Sequence, residues 1–286
     1  MSTSTLSGRG TAWFHSLTDT SPGEGAFSSP HGAIPSVLCA GARLGERPAF
    51  FLSVVPDPGN RWPRARQGEV GLGEGWALAE SVRRVLDRDR GAETKTIIVA
   101  IVDVPSQAYG YREELLGIHQ ALAAAVDAYS AARLAGHPVI ALLVGSGISG
   151  GFLAHGLQAN RILALDDDGV TVQAMSKKSA ARVTRRSVEE LDEIARVVPA
   201  TAYDGATFAT LGAVHRLLAV GDADNPTPAD VASIRAALLD AVEDVIAGPS
   251  DLSPRLATPG AHRERAASRE VRRLLAAEWD RQAEPS

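Results

Sequence analysis

Residues 97–110 read IIVAIVDVPSQAYG, and residues 139–152 read VIALLVGSGISGGF. The first stretch is apolar without a break from Ile97 to Val102 and stops at Asp103. An uninterrupted run of this kind is the pattern of a strand buried on both faces of a parallel sheet. The second has the same character from Val139 to Val144, then runs into a turn of glycine and serine. Between them a helix is predicted from about Glu113 to Ala135, closed by Gly136 with Pro138 just beyond. A short helix over 152–159 and a third strand, Arg161–Leu165, come next. Strand, helix, strand, helix, strand predicts right-handed crossovers and an α/β fold with a parallel sheet.

Upstream, Ser36–Cys39 and Ala49–Val55 are short apolar runs, and Pro56–Asn60 is a turn-forming cluster. Residues 61–73 read as a long loop, and a helix begins near Glu74 with Trp76, Leu78, Ala79, Val82, Val85 and Leu86 on one stripe. Residues 1–35 are rich in Ser, Thr, Gly and Pro and are expected to be a flexible N-terminal segment. After Ser187 the pattern is helical over 188–197, 206–220, 228–247 and 262–283, with no further strand expected. The chain therefore divides into residues 1–35, a domain over 36–250 and a helical tail over 251–286. Ile234, Leu238, Ala241, Val242 and Val245 form a stripe that suits a contact with another chain or ordinary packing within this one.

Composition narrows the function. The chain has 286 residues, 45% hydrophobic and 22% charged, which excludes wholesale disorder. With 29 Lys+Arg against 34 Asp+Glu the net charge is -5, the wrong sign for a dedicated nucleic-acid binder. The single cysteine, Cys39, excludes an intrachain disulfide and a cysteine zinc cage, and suits a reducing, cytoplasmic compartment. No apolar run approaches the ~20 residues of a spanning helix, and no secretory leader is visible, so neither membrane nor nucleic acid is an expected partner.

The glycine-rich turn admits three readings. Gly145, Gly147 and Gly150 fit the G-x-G-x-x-G dinucleotide fingerprint, with Asp166–Asp168 as the later acid. Gly147, Ser149 and Gly151 fit G-x-S-x-G, the nucleophile elbow of α/β-hydrolases, with Ser149 as nucleophile. Both want further strand ends after the turn, and the later chain reads as helix. His215, in an apolar helical stretch, and His262, in the tail, are poorly placed as the base. The third reading keeps the physics common to both. With Ser149 as N-cap, Gly150 and Gly151 start a helix, and their amides form a main-chain oxyanion hole. Close packing of helix on strand also calls for glycine here.

Asp103 to Gly110, the helix after it, and Gly145 to Phe152 together resemble the carboxyltransferase branch of the crotonase superfamily, with Ser106 in place of the usual loop glycine. Residues 152–175 are similar to the gamma subunit family of biotin-independent malonate decarboxylases. The resemblance covers 97–187 and extends over 36–250. It implies a crotonase-like spiral of ββα units with a helical C-terminal part. It also implies a heteromeric carboxy-lyase whose beta and gamma subunits share the active site and decarboxylate a malonyl thioester. That thioester rides on an acyl carrier (delta) subunit through a dephospho-CoA-derived arm, reloaded by an acyl-carrier transferase (alpha) subunit. Biotin and metal are not implied, and no cofactor is expected on this chain itself.

Candidate site residues follow. Gly150, Gly151 and Ser149 are expected to hold the enolate oxygen. Ser146, Gly147, Gln107 and Tyr109 are expected at the substrate, Gln107 through its amide and Tyr109 as a proton donor or water-positioning group. Lys177, Lys178, Arg182, Arg185 and Arg186 form a basic segment without acids. If it is helical, the last four share one face, fit either for solvent or for docking a phosphate-bearing carrier.

Overall fold

The computed structural model describes residues 8–283. The ends of the expected N-terminal segment and C-terminal tail, 1–7 and 284–286, lie outside the described residues. The chain opens with α1 (Arg9–Thr18), followed by β1 (Ala26–Ser29), β2 (Gly32–Leu44) and β3 (Arg47–Val54). These three strands form an antiparallel meander. The expectation of a flexible segment over 1–35 is therefore corrected for residues 8–35. Trp13, Phe14 and Leu17 are fully buried on one face of α1, and the Trp13 indole N–H donates to the Ala223 carbonyl at 2.9 Å. Polar residues around three large apolar ones disguised an element whose burial stabilises it by about 1.5–3 kcal/mol per side chain.

Next come α2 (Leu72–Arg88), β4 (Ile97–Val104), α3 (Tyr111–Leu115), α4 (Ile118–Leu134) and β5 (Val139–Ile148). The single helix expected over 113–135 is two helices, because Gly117 turns left-handed at φ 80°. Then follow α5 (Ser149–Ala154), β6 (Arg161–Leu165), β7 (Thr171–Gln173), α6 (Lys177–Thr184), α7 (Val188–Val197), α8 (Gly205–Thr210) and β8 (Arg216–Leu218). The chain closes with α9 (Pro228–Ala247), α10 (Pro259–Glu264) and α11 (Ala266–Ala283).

The sheet order is β1-β2-β3-β4-β5-β6-β8, parallel from β3 onward, and β7 pairs the far end of β5. The helix expected over 206–220 is corrected. It stops at Thr210, Gly212 turns at φ 78°, and residues 216–218 extend the sheet beside Leu163–Leu165. A three-residue strand carries too little periodicity to be recognised alone. The β4 and β5 runs are wholly buried between helices, as parallel strands require. Ile234, Leu238, Ala241, Val242 and Val245 join this core, so the stripe on α9 packs within the chain. No described helix is long and apolar enough to cross a membrane.

Candidate active site at the glycine turn

The floor of the site is the crossover from β5 into α5, beside the loop that leaves β4. Asp103 organises it. One carboxylate oxygen accepts the Ser146 N–H at 3.0 Å, and the other accepts the Gly10 N–H at 3.3 Å. This ties β4 to β5 and to the start of α1. Gly145 is required for that approach, since a Cβ there would lie 2.2 Å from Asp103 Oδ1. Gly151 is equally hemmed in: its Cβ would stand 2.4 Å from the Ser106 carbonyl oxygen and 2.5 Å from Val104. Ser146 and Gly147 belong to β5 itself, paired with Thr171 and Val172 of β7. Packing thus calls for glycine both at Gly145, part of the dinucleotide-fingerprint reading, and at Gly151, expected at the enolate oxygen.

The turn itself differs from the expected cap. Ile148 is the N-cap, and Ser149 is already inside the turn at φ 58°. A left-handed conformation is unfavourable for a residue with a Cβ, by roughly 1–2 kcal/mol. Gly150 is the roomier glycine, since a Cβ there would come no closer than 3.4 Å to Gln107, its nearest contact beyond the turn. Its N–H donates to the Gln107 side-chain oxygen at 3.0 Å. Gln107 is held in turn by backbone bonds on either side, from Val70 N–H to the Ser106 carbonyl and from Ala108 N–H to the Val70 carbonyl. Tyr109 stands at the same loop, more than half exposed.

Below the turn, two buried side chains were overlooked in the sequence. The Tyr129 hydroxyl lies 3.0 Å from His155 Nδ1, and His155 Nε2 lies 2.9 Å from the Ile101 carbonyl. The carbonyl accepts only, so Nε2 carries the proton and the Tyr129 hydroxyl donates to Nδ1. Burial lowers the His155 pKa to about 4 and raises that of Tyr129. The pair locks α4, α5 and β4 together.

Ser149 and Gly150 open into a cavity of about 750 Å³, otherwise lined mainly by apolar groups including Phe152, Leu153, Met175, Leu191 and Phe208. Its cover is the hairpin of α6 and α7. The expected four-cation helical face is corrected: the helix ends at Thr184, and Arg185 turns left-handed at φ 56°. Lys178 and Arg182 remain on α6, whereas Arg186 lines the cavity. Lys177 is occupied, 2.6 Å from Asp192 and over the Tyr203 ring. The two histidines judged poorly placed as a base both lie outside the cavity that Ser149 lines. His215 lines a different cavity beside Arg161 at the start of β6, and His262 lies on α10. Among the described residues no cluster of His, Cys, Asp and Glu is arranged to hold a metal ion.

A parallel crossover sheet whose glycine turn opens into an apolar cavity gives this chain an α/β, crotonase-like fold. The fold agrees with that of a transcarboxylase 12S structure, at TM-score 0.54 and 21% identity over 74% of this chain and 36% of that one. Residues 65–279 match the family model of the malonate decarboxylase gamma subunit, and the chain belongs to that family. It is similar to the corresponding chain of a Pseudomonas malonate decarboxylase hetero-tetramer solved with coenzyme A. The identity is 52% over 95% of this chain and 100% of that one, with TM-score 0.86. A Pseudomonas MdcD-MdcE hetero-dimer matches at 50% identity over 95% of this chain and 99% of that one, with TM-score 0.84. A curated relative, the malonyl-S-ACP:biotin-protein carboxyltransferase MADD of Malonomonas rubra, is 33% identical over 189 residues. That match spans 64% of each chain.

Proposed function

We propose that this chain is the gamma partner in a heteromeric malonate decarboxylase, completing its site with a beta subunit of related fold. The observation that carries the reading is the Ser149–Gly150 turn facing an apolar cavity in a member of this family. The substrate is a malonyl thioester on an acyl carrier (delta) subunit, charged by an alpha transferase through a dephospho-CoA-derived arm. The bond between the carboxylate carbon and the α-carbon breaks, carbon dioxide leaves, and the electron pair passes into an enolate on the thioester oxygen. Backbone N–H groups of the turn stabilise that oxygen, Gly150 foremost once the enolate displaces the Gln107 side-chain oxygen from its N–H, and a proton then adds at carbon from Tyr109 or from water it positions. Removing one oxyanion donor costs about 2.7–4 kcal/mol in other enzymes, which sets the scale expected of Gly150. Arg186, which lines the cavity, receives the phosphate-bearing arm, while Lys178 and Arg182 on α6 and Arg185 at its end steer the carrier.

Two features separate this from its neighbours. The match to the Pseudomonas decarboxylase covers nearly the whole chain, whereas the match to the biotin-protein carboxyltransferase covers 64% at lower identity. Both favour release of the carboxyl group as carbon dioxide over its transfer to biotin. In the test, the chain is reconstituted with a beta subunit and malonyl-loaded carrier. Carbon dioxide and acetyl thioester should form in equal amounts, insensitive to avidin, with nothing formed by the isolated chain. Gly150→Val, whose Cβ would sit at ordinary contact distance from Gln107 and Leu122, should assemble and lose turnover. Normal turnover by assembled Gly150→Val defeats the oxyanion assignment, and covalent capture of Ser149 by a fluorophosphonate would favour a hydrolase.

A further inference from the structure

At the opposite end of β5 from the glycine turn, about 30 Å away by the rise of ten extended residues, lies a second site. A cavity of about 210 Å³ is lined by Asn160, Arg161, His215, Asp244, Arg255 and Thr258 among others. Three guanidinium groups gather around the turn that leads into β6. Arg255 donates to the Leu157 and Ala159 carbonyls, Arg133 to the Gln158 carbonyl, and Arg161 to the Asn160 carbonyl.

The charges do not balance. Arg161 is paired with Asp244 at 2.5 Å, but among the described residues no carboxylate pairs with Arg255. Its Nε–H is buried without an acceptor, an expensive condition for a charged donor. Burial, together with Arg133, Arg161 and Arg265, pushes its pKa down to about 10, so it stays charged at neutral pH. An arginine held in place by carbonyl struts, with its charge uncompensated in the wall of a small cavity, is preorganised for an oxyanion.

We propose that this cavity binds a phosphate-type oxyanion between Arg255, Arg161, His215 and Thr258. Its volume suits one phosphate group and leaves no room for a whole nucleotide. The Thr258 hydroxyl already accepts the Ala261 N–H at 3.1 Å, which leaves its own proton to donate. Asp244 faces the same cavity and sets its selectivity. Engaged by Arg161, it leaves net positive charge for one compact anion and opposes a second.

The test is a titration of the full chain with inorganic phosphate at constant ionic strength, followed by calorimetry and phosphorus NMR. Chloride, malonate and a small phosphate monoester serve as parallel arms. Phosphate should bind saturably and raise Tm, with chloride inert and malonate weaker. Tighter binding of the monoester than of phosphate would identify a phosphate group borne on a larger molecule. Arg255→Met strips two carbonyls of their donors, so Arg255→Lys and His215→Ala are compared beside it. Each should weaken phosphate binding about tenfold or more, the scale of one charge-assisted hydrogen bond. Equal responses to phosphate and chloride, malonate binding tighter than phosphate, or unchanged phosphate affinity in both milder variants would leave the arginines as carbonyl struts only.

Discussion

Residues 97–165 and residues 171–210 face each other across one cavity but are held by different forces. On the floor, β4 and β5 are buried throughout their apolar runs, and glycines let backbone and carboxylate meet at van der Waals distance. On the cover, α7 has no buried residue and α6 buries only Ala180. The hairpin is fixed by a capping box at Ser187 and Glu190, by the Lys177–Asp192 pair, and by Lys177 over Tyr203. A floor built from core packing positions its amides without help. A cover with so little buried area owes its final placement to whatever it closes on, substrate arm or partner subunit.

The largest effect that can break this contrast is expected on the floor. Gly151→Val should lower unfolding free energy by at least the usual ~1–3 kcal/mol of overpacking, because the Ser106 backbone has nowhere to move. Gly145→Ala should follow it by displacing Asp103. Urea unfolding of the folded fraction measures both. If Gly151→Val matches the parent in stability and loses only turnover, Gly151 belongs with Gly150 as an exposed donor and the floor is looser than its contacts imply.

A pH scan sharpens the same point. His155, ordinarily near 6.5, is held to about 4 by burial. Between those values the unfolded chain binds a proton that the folded chain refuses, so stability is full at neutral pH and falls as pH drops through the window. From pH 7 to pH 5 the loss from this residue alone is about 2 kcal/mol. His155→Gln should flatten that part of the curve, and an unchanged slope would mean that the floor opens to water.

Much of this floor could be read from the sequence and little of the cover could. Continuous apolar runs specify β4, β5 and β6, and the helices over 188–197 and 228–247 fall where their caps and periodicity place them. The N-terminal helix was missed because Trp13, Phe14 and Leu17 lie among small and polar residues, and only tertiary burial shows their purpose. Gly145 and Gly151 were visible as glycines, but their partners, Asp103 and Ser106, lie more than forty positions upstream. Spacing along the chain holds no record of such approaches. The basic stripe failed for a local reason, the left-handed turn at Arg185.

A smaller effect falls at the seam between floor and cavity, on Ser149. An N-cap would accept Thr and resent Ala. A left-handed residue has the reverse preferences: Gly and Asn fit, and β-branched Thr or Val do not. Ser149→Gly and Ser149→Asn should therefore hold or gain stability, and Ser149→Val should lose about 1 kcal/mol. Thermal melts of the set decide, with Thr equal to Asn as the outcome that restores the cap.

The smallest expected stability change belongs to the cover, at Lys177. Its pair with Asp192 is two-fifths exposed on each side, and pairs of that kind contribute about 0–1 kcal/mol. Lys177→Met should therefore leave the melting curve nearly where it was. The hairpin, however, loses both its ion pair and its cation over Tyr203, which weakens the bond between α6, α7 and the segment before α8. Hydrogen exchange should speed up over 177–197 while β4 and β5 stay protected. In the assembled enzyme the KM for carrier-bound malonyl thioester should rise more than kcat falls, since the floor amides are untouched. Raising salt should do the same to the parent, because exposed charges on the hairpin are screened beyond a Debye length of ~8 Å. If exchange instead accelerates equally in β5, floor and cover open as one unit and the contrast between them fails.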